Sequence, residues 1–145
     1  MVLRIEDEWH VGDSSDDLDG FLREVGADGY DVHEVRHCVC AECKGDVFGV
    51  DGEADEGSVR RTCRACGNVH YVADSGEFWS EIGIEVRACV CDAEDFNMAV
   101  GYSLYDDLEG IRSIGTAERC VGCGRIGSFS SWMIRGSGRH LLDLA

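Results

Sequence analysis

Nine cysteines stand among 145 residues, and eight fall into close pairs: Cys40-x-x-Cys43, Cys63-x-x-Cys66, Cys89-x-Cys91 and Cys120-x-x-Cys123. A C-x-x-C turn points two thiols the same way, and the turn's backbone N–H groups can donate to sulfur, which suits a thiophilic metal ion. Residues 44–62 separate the first pair from the second and hold a strand, a loop and a second strand. Cys40, Cys43, Cys63 and Cys66 therefore form one candidate ligand set. Cys89, Cys91, Cys120 and Cys123 form the other. Alternate residues of an extended chain point oppositely, so Cys89-x-Cys91 requires a kink at Val90. Four thiolates complete the tetrahedron of Zn²⁺ and leave no position for water, so both sets are expected to be structural. Gly67 and Gly124 follow their knuckles and supply the positive φ with which the chain leaves such a turn.

The ninth cysteine opens a rival assignment. EVRHCVCAEC (34–43) and EVRACVCDAE (85–94) are nearly one phrase written twice. Aligned on that phrase, Cys38 and Cys40 match Cys89 and Cys91, while Cys43 matches Glu94. Cys38 would then replace Cys43 in the first set. Turn geometry favours Cys43; the phrase favours Cys38. Either way, the repetition describes a duplicated unit that holds two metal ions.

Arg60, Arg61 and Arg64 flank the Cys63–Cys66 knuckle, and Arg87, Arg119 and Arg125 flank the second unit, placed to offset the charge of the sulfurs. His37 and His70 stand near cysteines, but enough thiols are present without them. No H-E-x-x-H, P-loop or G-x-S-x-G motif occurs, and the deaminase signature H-x-E with P-C-x-x-C is missing. The chain is expected to be non-catalytic.

The elements that must position these residues are mostly short strands. Phe96, Met98, Val100, Tyr102 and Leu104 alternate with the period of a strand buried on one face. A turn over 106–110 and a returning strand, IRSIGTAER, follow. Ile126, Ser128, Ser130, Trp132 and Ile134 alternate again. DVFGV and VHYVA are the counterparts in the first half, and the acidic stretch DGEADEGS (51–58) is expected to be an exposed loop. One helix is expected, over about 15–25. Ser14 or Ser15 would cap it, Leu18, Phe21, Leu22 and Val25 give one apolar face, and Gly26 stops it.

These elements predict a mainly β, small α+β fold: two hairpin units packed together behind an N-terminal helical segment. The expected divisions are 1–33, 34–76 and 77–145. EFWSEIGIE (77–85) at the junction is too apolar for a free tether.

The formal charge is −16, and of 13 basic residues only Lys44 is a lysine. Such a surface repels phosphate backbones, so nucleic acid is disfavoured as a partner and another protein is favoured. No apolar run approaches the ~20 residues of a membrane span. The start, MVLRIEDEWH, lacks the pattern of a secretory signal, so a reducing cytoplasm is the expected location, where unpaired thiols persist.

Through CAEC at 40–43, CRACG at 63–67 and CVGCG at 120–124, the sequence resembles the zinc-ribbon superfamily over roughly residues 34–135. The tandem arrangement is similar to small bacterial proteins of this type. The resemblance implies a β-rich fold with structural zinc and a role in binding protein or nucleic acid, and no reaction. Rubredoxins, which use C-x-x-C-G knuckles around iron, are a weaker likeness. The expected function is a zinc-stabilised protein–protein interaction module, with Trp9, Trp79 and Trp132 as candidate anchors. A thiol-based redox or metal-responsive switch and a nucleic-acid-binding ribbon are the alternatives.

Overall fold

The computed structural model describes residues 4–6, 8–106, 110–134 and 139–145. The fold is mainly β: the described residues form one eleven-stranded antiparallel sheet and a single short α-helix near the N-terminus. Its strands are β1 (Arg4–Glu6), β2 (Trp9–Val11), β3 (Glu34–His37), β4 (Phe48–Glu53), β5 (Ser58–Cys63), β6 (Val69–Tyr71), β7 (Glu85–Val86), β8 (Phe96–Leu104), β9 (Ile111–Cys120), β10 (Arg125–Gly127) and β11 (Ser131–Met133). The helix α1 spans Asp17–Val25, and a 3₁₀ turn covers Arg139–Leu144. The main path runs β1-β2-β10-β9-β8-β4-β5-β6, with β11 on β9, β3 on β8 and β7 on β4. Among the described residues, no helix is long and apolar enough to cross a membrane.

The expected one-sided burial of Phe96–Leu104 is incomplete: β8 is buried on both faces. Phe96, Met98, Val100, Tyr102 and Leu104 enter the larger core with Phe48, Val50, Val59 and Trp132. The opposite face is built of small residues, Ala99 opposite Ala117 and Gly101 opposite Gly115. Their small size lets α1 lie close, with Leu18, Phe21 and Leu22 completing a second core. Fully burying a leucine contributes about 1.5–3 kcal/mol, so this short helix is held by packing rather than by propensity.

Neither Ser14 nor Ser15 caps α1 with its hydroxyl. The first-turn N–H groups are already occupied, with Asp17 donating to Ser14 O at 3.2 Å and Leu18 to Ser15 O at 3.1 Å. The Asp17 carboxylate instead reaches back to accept from the Asp13 N–H at 2.7 Å. Gly26 ends the helix as expected, at φ 79°.

Two further expectations change. The acidic loop is a tight hairpin turn between β4 and β5, and part of it is buried. Ser130 Oγ donates to Ala54 O at 2.6 Å, and Gly57 lies directly under Trp132. The alternating run 126–134 is not one strand. Gly127 pairs with Glu118 and Ser131 with Gly115, four residues against three, so a bulge at 128–130 divides it. The expected turn over 106–110 lies partly outside the described residues.

Candidate metal centres

Each thiol pair sits in a turn closed by the backbone. In the three C-x-x-C knuckles the N–H of the residue after the second cysteine returns to the carbonyl of the first: Lys44 to Cys40 at 2.9 Å, Gly67 to Cys63 at 2.8 Å and Gly124 to Cys120 at 2.8 Å. All three closing residues have positive φ, at 66°, 81° and 83°. Glycine was anticipated at two of these positions; Lys44 adopts the same conformation without it. Cys89-x-Cys91 closes one residue earlier, with Asp92 N–H on Cys89 O at 2.8 Å and φ 74°. The expected kink at Val90 is thus a complete turn, shortened by one residue.

These turns aim N–H groups at sulfur. Cys40 accepts from the N–H groups of Cys43 and Glu42, Cys63 from Cys66 and Ala65, and Cys120 from Cys123 and Gly122. The Cys43 N–H is the largest influence on Cys40 and brings its thiol down to about 6. Burial opposes ionisation of Cys123, yet the backbone N–H and guanidinium of Arg125, together with the neighbouring Cys89 and Cys91 thiols, outweigh it and bring that thiol also to about 6.

The structure brings together Cys40, Cys43, Cys63 and Cys66 in one group and Cys89, Cys91, Cys120 and Cys123 in another, the sulfurs of each group all within 4.8 Å of one another. Within the groups, Cys40 and Cys66 approach to 3.6 Å, Cys43 and Cys63 to 3.5 Å, Cys89 and Cys123 to 3.5 Å, and Cys91 and Cys120 to 3.6 Å. Sulfurs tetrahedrally placed about 2.3 Å from a zinc ion stand about 3.8 Å apart. Both groups fit that figure, so each could hold a metal ion.

Cys38 belongs to neither group, and the reason lies in register. Phe48 of β4 pairs with Phe96 of β8, and they match as the first residues of the two hairpins. Val50 then matches Met98. Cys38 N–H bonds to Met98 O at 2.9 Å, whereas Arg87 N–H bonds to Val50 O at 2.8 Å. The structural counterpart of Cys38 is therefore Arg87, and that of Cys89 is Cys40. The repeated phrase is out of step with the repeated fold by two residues.

The same matching pairs Arg61 with Glu118, each opposite a matched residue: Val50 faces Arg61 and Met98 faces Glu118. Arg61 lies 4.6 Å over the Phe48 ring and faces Cys38, whose buried thiol is pushed up to about 12. Arg87 lies 5.4 Å over Phe96 and donates to Glu118 Oε1 at 3.3 Å. Burial raises the Glu118 carboxyl to about 7 despite that guanidinium.

Of the six arginines expected near sulfur, Arg125 donates to Cys123 Sγ at 3.4 Å. Others tie the fold. Arg60 grips Asp51 through two bonds of 2.9 and 2.6 Å, and Arg119 donates to Gly12 O at 2.8 Å. His70 turns to Leu144 O at 3.1 Å, away from a ligand role. Trp132 is a core residue bonded to Asp74 at 3.0 Å, while Trp79 stacks 4.6 Å from the Arg60 guanidinium. The chain matches no protein-family model, no curated protein and no solved structure.

Proposed function

We propose that this chain is a non-catalytic interaction module whose two four-cysteine groups each hold one Zn²⁺ as a structural cross-link. The observation that carries the reading is the donor set: four sulfurs within 4.8 Å in each group, served by inward-turned backbone N–H groups. Four thiolates suit zinc and leave no coordination position open for a substrate. Structural zinc stabilises small folds by on the order of 10 kcal/mol per site, enough to hold these short strands. Nine cysteines with no disulfide among them suit a reducing compartment such as the cytoplasm.

The interaction surface in this reading is a groove of about 500 Å³ beside the β4–β5 turn, lined by Glu53, Glu56, Ser58, Phe78, Ser80 and Ile82. Ile82 is 85% exposed and Phe78 43%. Phe78 and Ile82 offer exposed apolar surface beside the acidic Glu53 and Glu56, which complements a protein segment that carries one large apolar side chain between lysines or arginines. The test is fluorescence anisotropy with a labelled heptapeptide holding one Phe between arginines, against its glutamate-flanked counterpart. Binding of the basic peptide alone, weakened about tenfold by Ile82→Ser or Glu53→Gln, supports the groove. Equal binding of both peptides, unaffected by Ile82→Ser, sinks it.

A redox-responsive reading has one observation in its favour, the exposure of Cys43, Cys66 and Cys91. Oxidant can reach those ligands, and oxidised sulfur releases zinc. Peroxide titration with a zinc indicator separates the two readings, since a purely structural metal is retained under mild oxidation.

A further inference from the structure

The two thiol groups share their supports, and we infer that the protein binds its two metal ions cooperatively, each site stabilising the other. This rests on the metal-binding reading above.

A single row across four strands joins the groups. Cys63 pairs with Phe48, Phe48 with Phe96, and Phe96 with Cys120. One ligand from each group thus ends the row. The knuckles also clasp one another directly. Arg64, inside the Cys63–Cys66 turn, forms an ion pair with Asp95 at 2.8 Å and donates to Glu94 O at 3.1 Å, just beyond the Cys89–Cys91 turn. In return, Asn97 Nδ2 donates at 3.0 Å to Asp46 O, just beyond the Cys40–Cys43 turn.

The strands leading into the knuckles are exchanged. β3, which delivers Cys40, pairs with β8 of the other hairpin, and β7, which delivers Cys89, pairs with β4. Neither group can therefore be ordered by its own hairpin alone. The first ion to bind must fix strands of both units. The second then meets thiols already held in place, and less ordering entropy opposes it. Such coupling is reciprocal: each site raises the affinity of the other by one common factor.

The test titrates the reduced, metal-free full chain with Co²⁺, read by thiolate-to-cobalt absorption and by native mass spectrometry. Cys120→Ser/Cys123→Ser retains only the first site, and Cys63→Ser/Cys66→Ser only the second. The product of their two association constants is expected to fall short of the wild-type two-ion constant by about tenfold or more. Equality of the two quantities overturns the inference. A chain lacking one site could fail to fold, so Arg64→Met/Asp95→Asn, which keeps all eight thiols, provides a second measure. At half saturation it is expected to accumulate more one-ion species than the wild type; an unchanged one-ion fraction counts against coupling. No cobalt uptake by the wild type would overturn the metal reading and this inference with it. Two ions bound independently overturn this inference alone.

Discussion

Phe48 and Phe96 pair across the bridge between β4 and β8, and each faces a cysteine of its own thiol group, Cys63 and Cys120. Both rings are buried, and each carries an arginine, Arg61 or Arg87, over its face. They mark the centre about which the two units are matched.

Truncating either ring removes core volume where the halves meet. Phe48→Ala and Phe96→Ala are each expected to cost about 3–5 kcal/mol, measured by guanidinium unfolding of the chain in the presence of added zinc. Val39→Ala, at an exposed position just before the first knuckle, should stay within about 0.5 kcal/mol. Losses of that small size at either phenylalanine would show that the pair is not the structural centre.

Strand register separates the roles of two neighbouring cysteines, Cys38 and Cys43. Cys38→Ala leaves every member of both sulfur groups in place and should keep two metal ions per chain; Cys43→Ser should lose the ion of the first group. Native mass spectrometry of the two variants distinguishes them. A Cys38→Ala chain that retained a single ion would restore the assignment suggested by the repeated phrase.

Burial is the main influence on His70 and lowers its pKa from the ordinary 6.5. The unfolded chain therefore takes up this proton at higher pH than the folded chain does. The stability it contributes is complete above about pH 6.5 and is lost as pH falls through the lower folded value. Denaturant unfolding at pH 7.5 and 5.5 should show a larger acid loss in the wild type than in His70→Gln. Parallel losses would remove His70 from the account.

Much of the site was legible because a C-x-x-C turn is encoded within a few consecutive residues. The eight clustered cysteines, the helix stop at Gly26 and the strand from Phe96 to Leu104 all follow from local pattern. What escaped is tertiary. Ala99, Gly101, Gly115 and Ala117 carry little hydropathy signal, and only the docking of α1 makes their face an interior. The hairpin turn at 54–57 reads as solvent-facing until Trp132 covers Gly57. The strand exchange is set by backbone pairing, which similar phrases cannot reveal. For that reason the EVR repeat points to Cys38, while hydrogen bonding places Arg87 in the equivalent position.

The most direct measurement is the native mass of the reduced, untagged chain before and after exhaustive chelation. The account predicts two zinc ions per chain and loss of cooperative melting once they are removed. A purified chain that carries no metal, and still melts in one sharp transition after chelation, would contradict it.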